Sequence, residues 1–335
     1  MEPTDNTVTE EAIAPPQESA EDTAIREARE LRERTYQSTL TQVCEKYPTL
    51  KDRILSSLET PQLGDYHKEG PTMDSHLKLI VANICDVAEG KFHDVLAQNP
   101  DIQEAFARVI HGGTPEEGTE DAINPELLEY VFFHDIEKQS SLLLKLEGEK
   151  MGAEITLDDW HTIEQGGEPY TWNGKVIKSI SYYHPSKGGL GAHGAKGANT
   201  LKELGLSRVM LTGIAKHEVA YSFSGISAAT YAKHFVESGL SEDEQDFVFV
   251  ASYVDTMSSL REDGQPDMQN YENFLASRAN YLLIQKVIAG GAELRDRELA
   301  KLMSTKTVLT EVEIETMIAD RKERESRRNP TGTSQ

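Results

Sequence analysis

The stretch Pro125-Glu126-Leu127-Leu128-Glu129-Tyr130-Val131-Phe132-Phe133-His134-Asp135-Ile136-Glu137-Lys138 decides how this chain is read. Proline suits the first turn of a helix, where its missing N–H leaves no bond unmade. Leu127, Leu128, Val131, Phe132 and Phe133 then surround the helix with apolar groups, and the spacing predicts a helix from Pro125 to about Leu146. His134-Asp135 sits in that apolar text. Burying an ionised carboxylate beside an imidazole costs on the order of several kcal/mol unless something neutralises it. A divalent cation would do so, because adjacent helical residues differ by about 100° in direction and can form two corners of one coordination shell. The alternative is a buried His–Asp hydrogen bond near a helix end, and the pair alone leaves both open.

Working outward, other helical segments also place a metal-type ligand on an apolar face. His76 precedes Ile80 and Ile84, His217 follows Met210 and Ile214, and Asp255 follows Val248 and Ala251, all at helical spacing. Each would ordinarily be a satisfied core residue. Together they imply that several buried faces bring polar groups to one place. Lys138 follows Asp135 by three positions on the same face and could neutralise a phosphate oxygen; it could equally be a surface lysine. Lys196 and Arg261 are weaker candidates of the same kind.

The remaining text is mostly helical. Residues 1–24 are rich in Glu, Thr, Pro and Ala without apolar periodicity and are expected to be disordered. Residues 25–60 read as an N-terminal helical extension, 61–290 as the main domain, and 291–335 as C-terminal helices with a basic, frayed tail. Asp74 or Ser75 suits the cap of the His76 helix, and Thr310-Glu311-Val312-Glu313 fits a capping box. β-favouring runs about Asn173-Gly174 predict a small inserted hairpin within about 154–183. The fold class is therefore mainly α with that insertion.

The formal charge is −23, from 57 acidic and 34 basic side chains. Such a surface repels nucleic-acid phosphates and anionic membranes, although a metal centre can reverse the field inside a cleft. Cys44 and Cys85 form no metal or disulfide pattern and read as buried thiols. No run approaches the roughly 20 apolar residues of a membrane span, and the first residues lack a signal-peptide pattern. A cytoplasmic location is the expectation.

His76, then Val131 through Lys138 with its His134-Asp135 pair, then Asp255 within Ala251-Ser252-Tyr253-Val254-Asp255 resembles the HD domain superfamily, whose helical core carries H…HD…D. The stretch from Ala192-His193-Gly194-Ala195 to Ile214-Ala215-Lys216-His217 resembles its two-metal branch. The resemblance covers roughly residues 70–262. The 58 residues between His76 and His134, and the insertion before His193, depart from it. It implies an HD-type helical bundle in which His76, His134, Asp135 and Asp255 hold one ion, His193 and His217 complete a second, and Asp135 bridges. Two divalent transition-metal ions are implied, with Fe, Mn, Co, Ni and Zn all suited to these donors. The activity implied is phosphohydrolysis of a small, nucleotide-like phosphorylated substrate through a metal-activated hydroxide. A mixed-valent di-iron oxygenase shares the ligand pattern; a non-catalytic nucleotide-sensing module is the third reading, although such modules tend to lose ligands and none is missing here.

Three features imitate sites. His93-Asp94 is a second His-Asp pair, but Gly90, Lys91 and Gln98 surround it. Gly189-Leu190-Gly191-Ala192-His193-Gly194 spells a dinucleotide-binding glycine pattern, yet the block that follows is helical where that fold needs a strand. His184 ends the hairpin text and reads as incidental or as a substrate contact.

Overall fold

A computed structural model describes residues 19–328, apart from 66, 98, 113–121, 141, 151 and 183–191. The helices α1 (Ala20–Lys46), α2 (Lys51–Leu58), α3 (Met73–Ala88), α4 (Asp94–Ala97), α5 (Pro100–His111) and α6 (Pro125–Phe133) precede a small sheet. The sheet comprises β1 (Leu143–Leu146), β2 (Ala153–Glu154), β3 (Thr171–Trp172) and β4 (Lys175–Ser181), with α7 (Leu157–Glu164) between β2 and β3. Then follow α8 (Ala192–Leu201), α9 (Arg208–Lys216), α10 (Ala228–Tyr231), α11 (Glu242–Ser258), α12 (Gln269–Ala289), α13 (Asp296–Met303) and α14 (Glu311–Arg328). The protein is mainly α with a small β insert.

The central element is α11. From Phe247 to Thr256 every residue is buried, so this helix is surrounded rather than amphipathic. It packs against α3, α5 and α9. Its start is fixed by a capping box in which Ser241 and Glu244 satisfy each other's backbone N–H. Glu244 also accepts from Arg208 at 2.9 Å and Thr212 at 2.7 Å, tying α11 to α9. Gly213 is needed at that crossing, since a Cβ there would lie 2.4 Å from the Phe247 ring. Tyr36 and Val43 of α1 and Ile54 of α2 belong to the same apolar core.

Several expectations shift. The first helix begins at Ala20, inside the stretch expected to be disordered, because Ser19 and Asp22 form a capping box; residues 1–18 lie outside the described ones. Thr72, not Asp74 or Ser75, occupies the N-cap of α3, and Asp74 accepts from Tyr36 at 2.7 Å instead. The helix opened by Pro125 ends at Phe133 rather than near Leu146, and Leu143–Leu146 forms a strand. The C-terminal segment is helical to Arg328, and Arg321 is held by Glu298 at 3.0 Å. The Thr310–Glu313 capping box is present. Both cysteines are free and buried.

The insertion begins earlier than 154 and is larger than a hairpin. It is an antiparallel sheet of order β2-β1-β4-β3 covered by α7. Thr156 and Asp159 cap α7, and Trp160 and Ile163 pack it onto Leu144, Ile177 and Ile180. The Asn173-Gly174 turn is where the sequence placed it: Thr171 pairs with Val176 and Trp172 with Lys175. Both turn residues have positive φ, 50° and 75°, as a two-residue turn matching strand twist requires. Replacing Gly174 by Val should cost about 1–2 kcal/mol, because a β-branched residue is strained there. Thermal unfolding reads the loss; metal content should be untouched, since the turn is remote from the helical core.

Candidate metal centre

Helices from distant parts of the chain bring His76, His134, Asp135, His193, His217 and Asp255 together, all buried. His76 comes from the first turn of α3, and His134-Asp135 follow the last residue of α6. His193 lies at the start of α8 and His217 just beyond α9. Asp255 lies near the end of α11. The six form two groups that share Asp135, and the donor atoms of each group lie within 4.8 Å of one another.

The carboxylate of Asp135 faces both groups, one oxygen to each. Oδ2 lies 3.1 Å from Nε2 of His134 and 3.9 Å from Nε2 of His76. Oδ1 lies 3.1 Å from Nε2 of His193 and 3.3 Å from Nε2 of His217. Asp255 Oδ1 stands 3.3 Å from His76 Nε2 and 3.9 Å from His134 Nε2. Ligands held about 2.0–2.2 Å from one transition-metal ion stand about 3–3.5 Å apart, so most of these separations suit shared ions.

Backbone geometry sets which nitrogen each ring presents. Nδ1–H of His76 donates to the Ser258 carbonyl at 3.1 Å, that of His134 to Val131 at 2.9 Å, and that of His217 to Ile214 at 2.9 Å. A carbonyl can only accept, so Nδ1 carries the proton and Nε2 is turned inward. His134 Nε2 and Asp135 Oδ1 are buried without a hydrogen-bond partner among the described residues, while Asp135 Oδ2 has the Lys138 ammonium at 2.6 Å. Orphaned buried atoms of this kind are costly. Here they are imidazole and carboxylate donors pointed at common centres, so the donor set could hold metal.

The charges are arranged to match. Burial disfavours a charged Asp135, yet His134, Lys138 and His193 around it hold its carboxyl well below the ordinary range. Burial likewise opposes Asp255, and His76, His217 and Lys138 prevail, bringing it to about 2. Lys138 is buried, with Nζ 2.6 Å from Asp135 Oδ2 and 4.9 Å above the Tyr182 ring. Burial opposes its charge, but Asp135, Asp255 and other neighbours raise its pKa.

A cavity of about 400 Å³ opens onto the centre. His193, Asp255 and Lys138 reach it from the helical side, and Ile180, Ser181 and Tyr182 bring the end of β4 to the opposite wall. The insertion therefore shapes access. Among the described residues Lys138 is the only lysine or arginine on the lining. Lys196 and Arg261, also considered for substrate binding, lie elsewhere. Lys196 bonds to Ser140 at 2.6 Å and lies 3.0 Å from buried Glu137, while Arg261 pairs with Asp263 at 3.2 Å on the surface.

Among the described residues His93 joins no metal group; its Nδ1 accepts from the Val95 N–H at 3.2 Å at the start of α4. Gly194 serves close packing rather than a nucleotide, since a Cβ there would lie 2.6 Å from the Ile214 carbonyl and 3.0 Å from the His217 ring. His184, Gly189 and Gly191 lie outside the described residues. Sequence reasoning missed Glu69, which sits 3.2 Å from His67 Nδ1 and 3.3 Å from His76 Nδ1. It lies in an aperiodic loop that carries no local signal. It also missed Glu218, although an acid directly after His217 repeats the signature that singled out His134-Asp135.

No family model, curated protein or solved structure matches this chain.

Two measurements follow from the site. Burial opposes protonation of His76 and His217, but the carboxylates of Asp255 and Glu69 beside the first, and Asp135 beside the second, raise both to about 9. Without metal both imidazoles are cations at neutral pH, and ligation must remove the proton from Nε2. Affinity for Mn²⁺ should therefore rise between about pH 6 and 9 with net proton release, read by calorimetry in two buffers. The stability of the metal-free protein has the opposite sign. These two histidines contribute most below their ordinary 6.5, and that contribution is lost as pH rises through about 9. Gly194→Ala should cost about 1–3 kcal/mol by overpacking and lower metal content, because the displaced groups are the His217 ring and the carbonyl that orients it. Thermal melting and elemental analysis check both effects.

Proposed function

We propose that the chain is a metal-dependent phosphohydrolase of the HD type, acting on a small phosphorylated, nucleotide-like substrate. The observation that carries this reading is the carboxylate of Asp135, whose two oxygens face two separate imidazole groups in a buried core. A pair of divalent ions held there would supply Lewis acidity toward a phosphoryl group and activate water near neutral pH. His76, His134 and Asp255 would hold one ion and His193 and His217 the other, with Asp135 between them.

The remaining work falls to this chain's own side chains. Lys138 keeps its proton through its carboxylate neighbours and presents a cation at the cavity wall, where a phosphate oxygen would find it. Its bond to Asp135 holds that carboxylate ionised and oriented before substrate arrives. Buried Glu137 accepts from Arg53, from Ser140 at 2.8 Å and from Thr200 at 2.9 Å, so the turn carrying Asp135 and Lys138 is fastened to α2 and α8. The Tyr182 ring lies beneath the Lys138 ammonium, 4.9 Å from Nζ, on the same lining. A cavity of about 400 Å³ suits a small molecule and not a polymer.

Metal analysis of protein purified without added metal, followed by a screen of nucleotides, cyclic dinucleotides and phosphomonoesters with Mn²⁺ or Co²⁺, tests the reading. Phosphate release supports it. Iron content with oxygen consumption and no phosphate release would replace it with the oxygenase alternative, and ligand binding without turnover would leave a sensor. Asp135→Ala should abolish turnover and lower metal content, because both groups lose their shared donor. Lys138→Ala should keep the metal and lose about 10²–10³ in kcat, the scale of removing one charge-stabilising donor.

A further inference from the structure

We propose that Glu218 is an additional, exchangeable carboxylate ligand of the second metal group, reaching it from the cavity wall. The inference rests on the metal-centre reading above and deepens it. The two groups are unequal: His76, His134, Asp135 and Asp255 make four donors, whereas Asp135, His193 and His217 make three. The group with fewer donors is the one beside Glu218.

The local chain explains the placement. The α-helical path of α9 breaks at Lys216, with φ −125° and ψ 9°, and continues as a 3₁₀ segment from His217 to Ser222. The tighter winding carries His217 into the centre and leaves Glu218 on the cavity lining. There its Oε2 is buried and has no hydrogen-bond partner among the described residues, and His193 Nε2 stands 3.7 Å away. A buried carboxylate oxygen without a partner is costly, and a cation is the partner that removes the cost.

Charge counting agrees. Two divalent ions bring four positive charges and Lys138 a fifth, against one negative charge each from Asp135 and Asp255. Glu69 contacts His67 and His76 rather than the donor atoms that face the centre. Glu218 adds a third negative charge on the cavity side, where water would otherwise have to compensate.

The carboxylate stands outside the compact group of three whose atoms lie within 4.8 Å. A glutamate on a cavity wall can turn about its side-chain torsions into the open space, so it reaches the ion by rotation. A ligand that swings in can swing out, and an anionic substrate entering the same space would compete for the same ion. His193 and His217, fixed on packed helices, lack that freedom.

The test uses the full-length protein freed of metal by chelation and titrated with Mn²⁺ alone, with stoichiometry from elemental analysis. Wild type should take up two ions. Glu218→Gln should keep the first and bind the second about ten- to a hundredfold more weakly, the scale seen when a supporting group is removed from a metal site. The metal-free melting temperature of the variant should be unchanged or higher, since Gln removes an unpaired buried charge, while the rise on adding Mn²⁺ should shrink. Two ions bound by Glu218→Gln with wild-type affinity would overturn the assignment and leave the centre standing. A lower metal-free melting temperature with an undiminished Mn²⁺ response would also overturn it, by giving Glu218 a structural role. Wild type binding one ion or none would overturn the metal pair and this assignment together.

Discussion

A single buried carboxylate constrains the architecture of this protein. Asp135 sits in the core with the Lys138 ammonium 2.6 Å from one oxygen and only imidazole nitrogens near the other, in surroundings where an uncompensated charge would be worth several times a typical interaction. Everything nearby is arranged around that charge. Lys138 comes from the next turn of the same chain, the imidazoles of His76 and His134 approach one oxygen, and those of His193 and His217 approach the other. Without ions, the carboxylates beside His76 and His217 favour their protonated forms. A proton and a metal ion thus compete for the same nitrogen lone pairs.

Holding six side chains to one point requires a rigid frame. The all-round burial of α11 supplies it, with Asp255 near one end and the Ser241–Glu244 capping box at the other. The apolar positions of α3, α6 and α9 face the same core, so their polar residues converge because their neighbours must. Backbone carbonyls finish the job by choosing the tautomer of three rings. Close approach at Gly194 lets α8 bring His193 against His217. Residues that look incidental in a list of ligands, such as Gly194, Glu137 and Ser258, are what make the ligand geometry reproducible.

The insertion plays a different part. Its own small core of Leu144, Trp160, Ile163 and Ile177 holds the sheet together independently of the helical core, yet Ile180, Ser181 and Tyr182 at the end of β4 form a wall of the cavity. The hydroxyl of Tyr182 donates to the Pro61 carbonyl, and the Ile180 N–H donates to the Leu63 carbonyl at 2.8 Å, which fastens that wall to the loop before α3. The cavity is thereby walled by the insertion as well as by the helical core.

The helical class, the Asn173-Gly174 turn and the convergence of His76, His134, Asp135, His217 and Asp255 were legible in the sequence, because apolar periodicity tells which face of a helix is buried and a polar residue on that face stands out. His193 rested on resemblance alone, since it opens a helix and has no apolar turn before it. The α7 segment was also legible in retrospect, since Thr156 and Asp159 spell a cap and Leu157, Trp160 and Ile163 recur at helical spacing. Periodicity could not end the α6 helix at Phe133, because Leu142, Leu144 and Leu146 are equally apolar in a strand. Nor could it find Glu69 or separate Lys138 from Lys196, as only tertiary packing turns one lysine toward the cavity and the other onto Glu137. Local pattern marks the apolar helical faces, and with them the buried His76, His134, Asp135, His217 and Asp255 that lie on those faces. Which atoms meet there was decided only by the tertiary structure, because His76, His193, His217 and Asp255 are far from Asp135 along the chain and their geometry depends on helix crossings that no local pattern encodes.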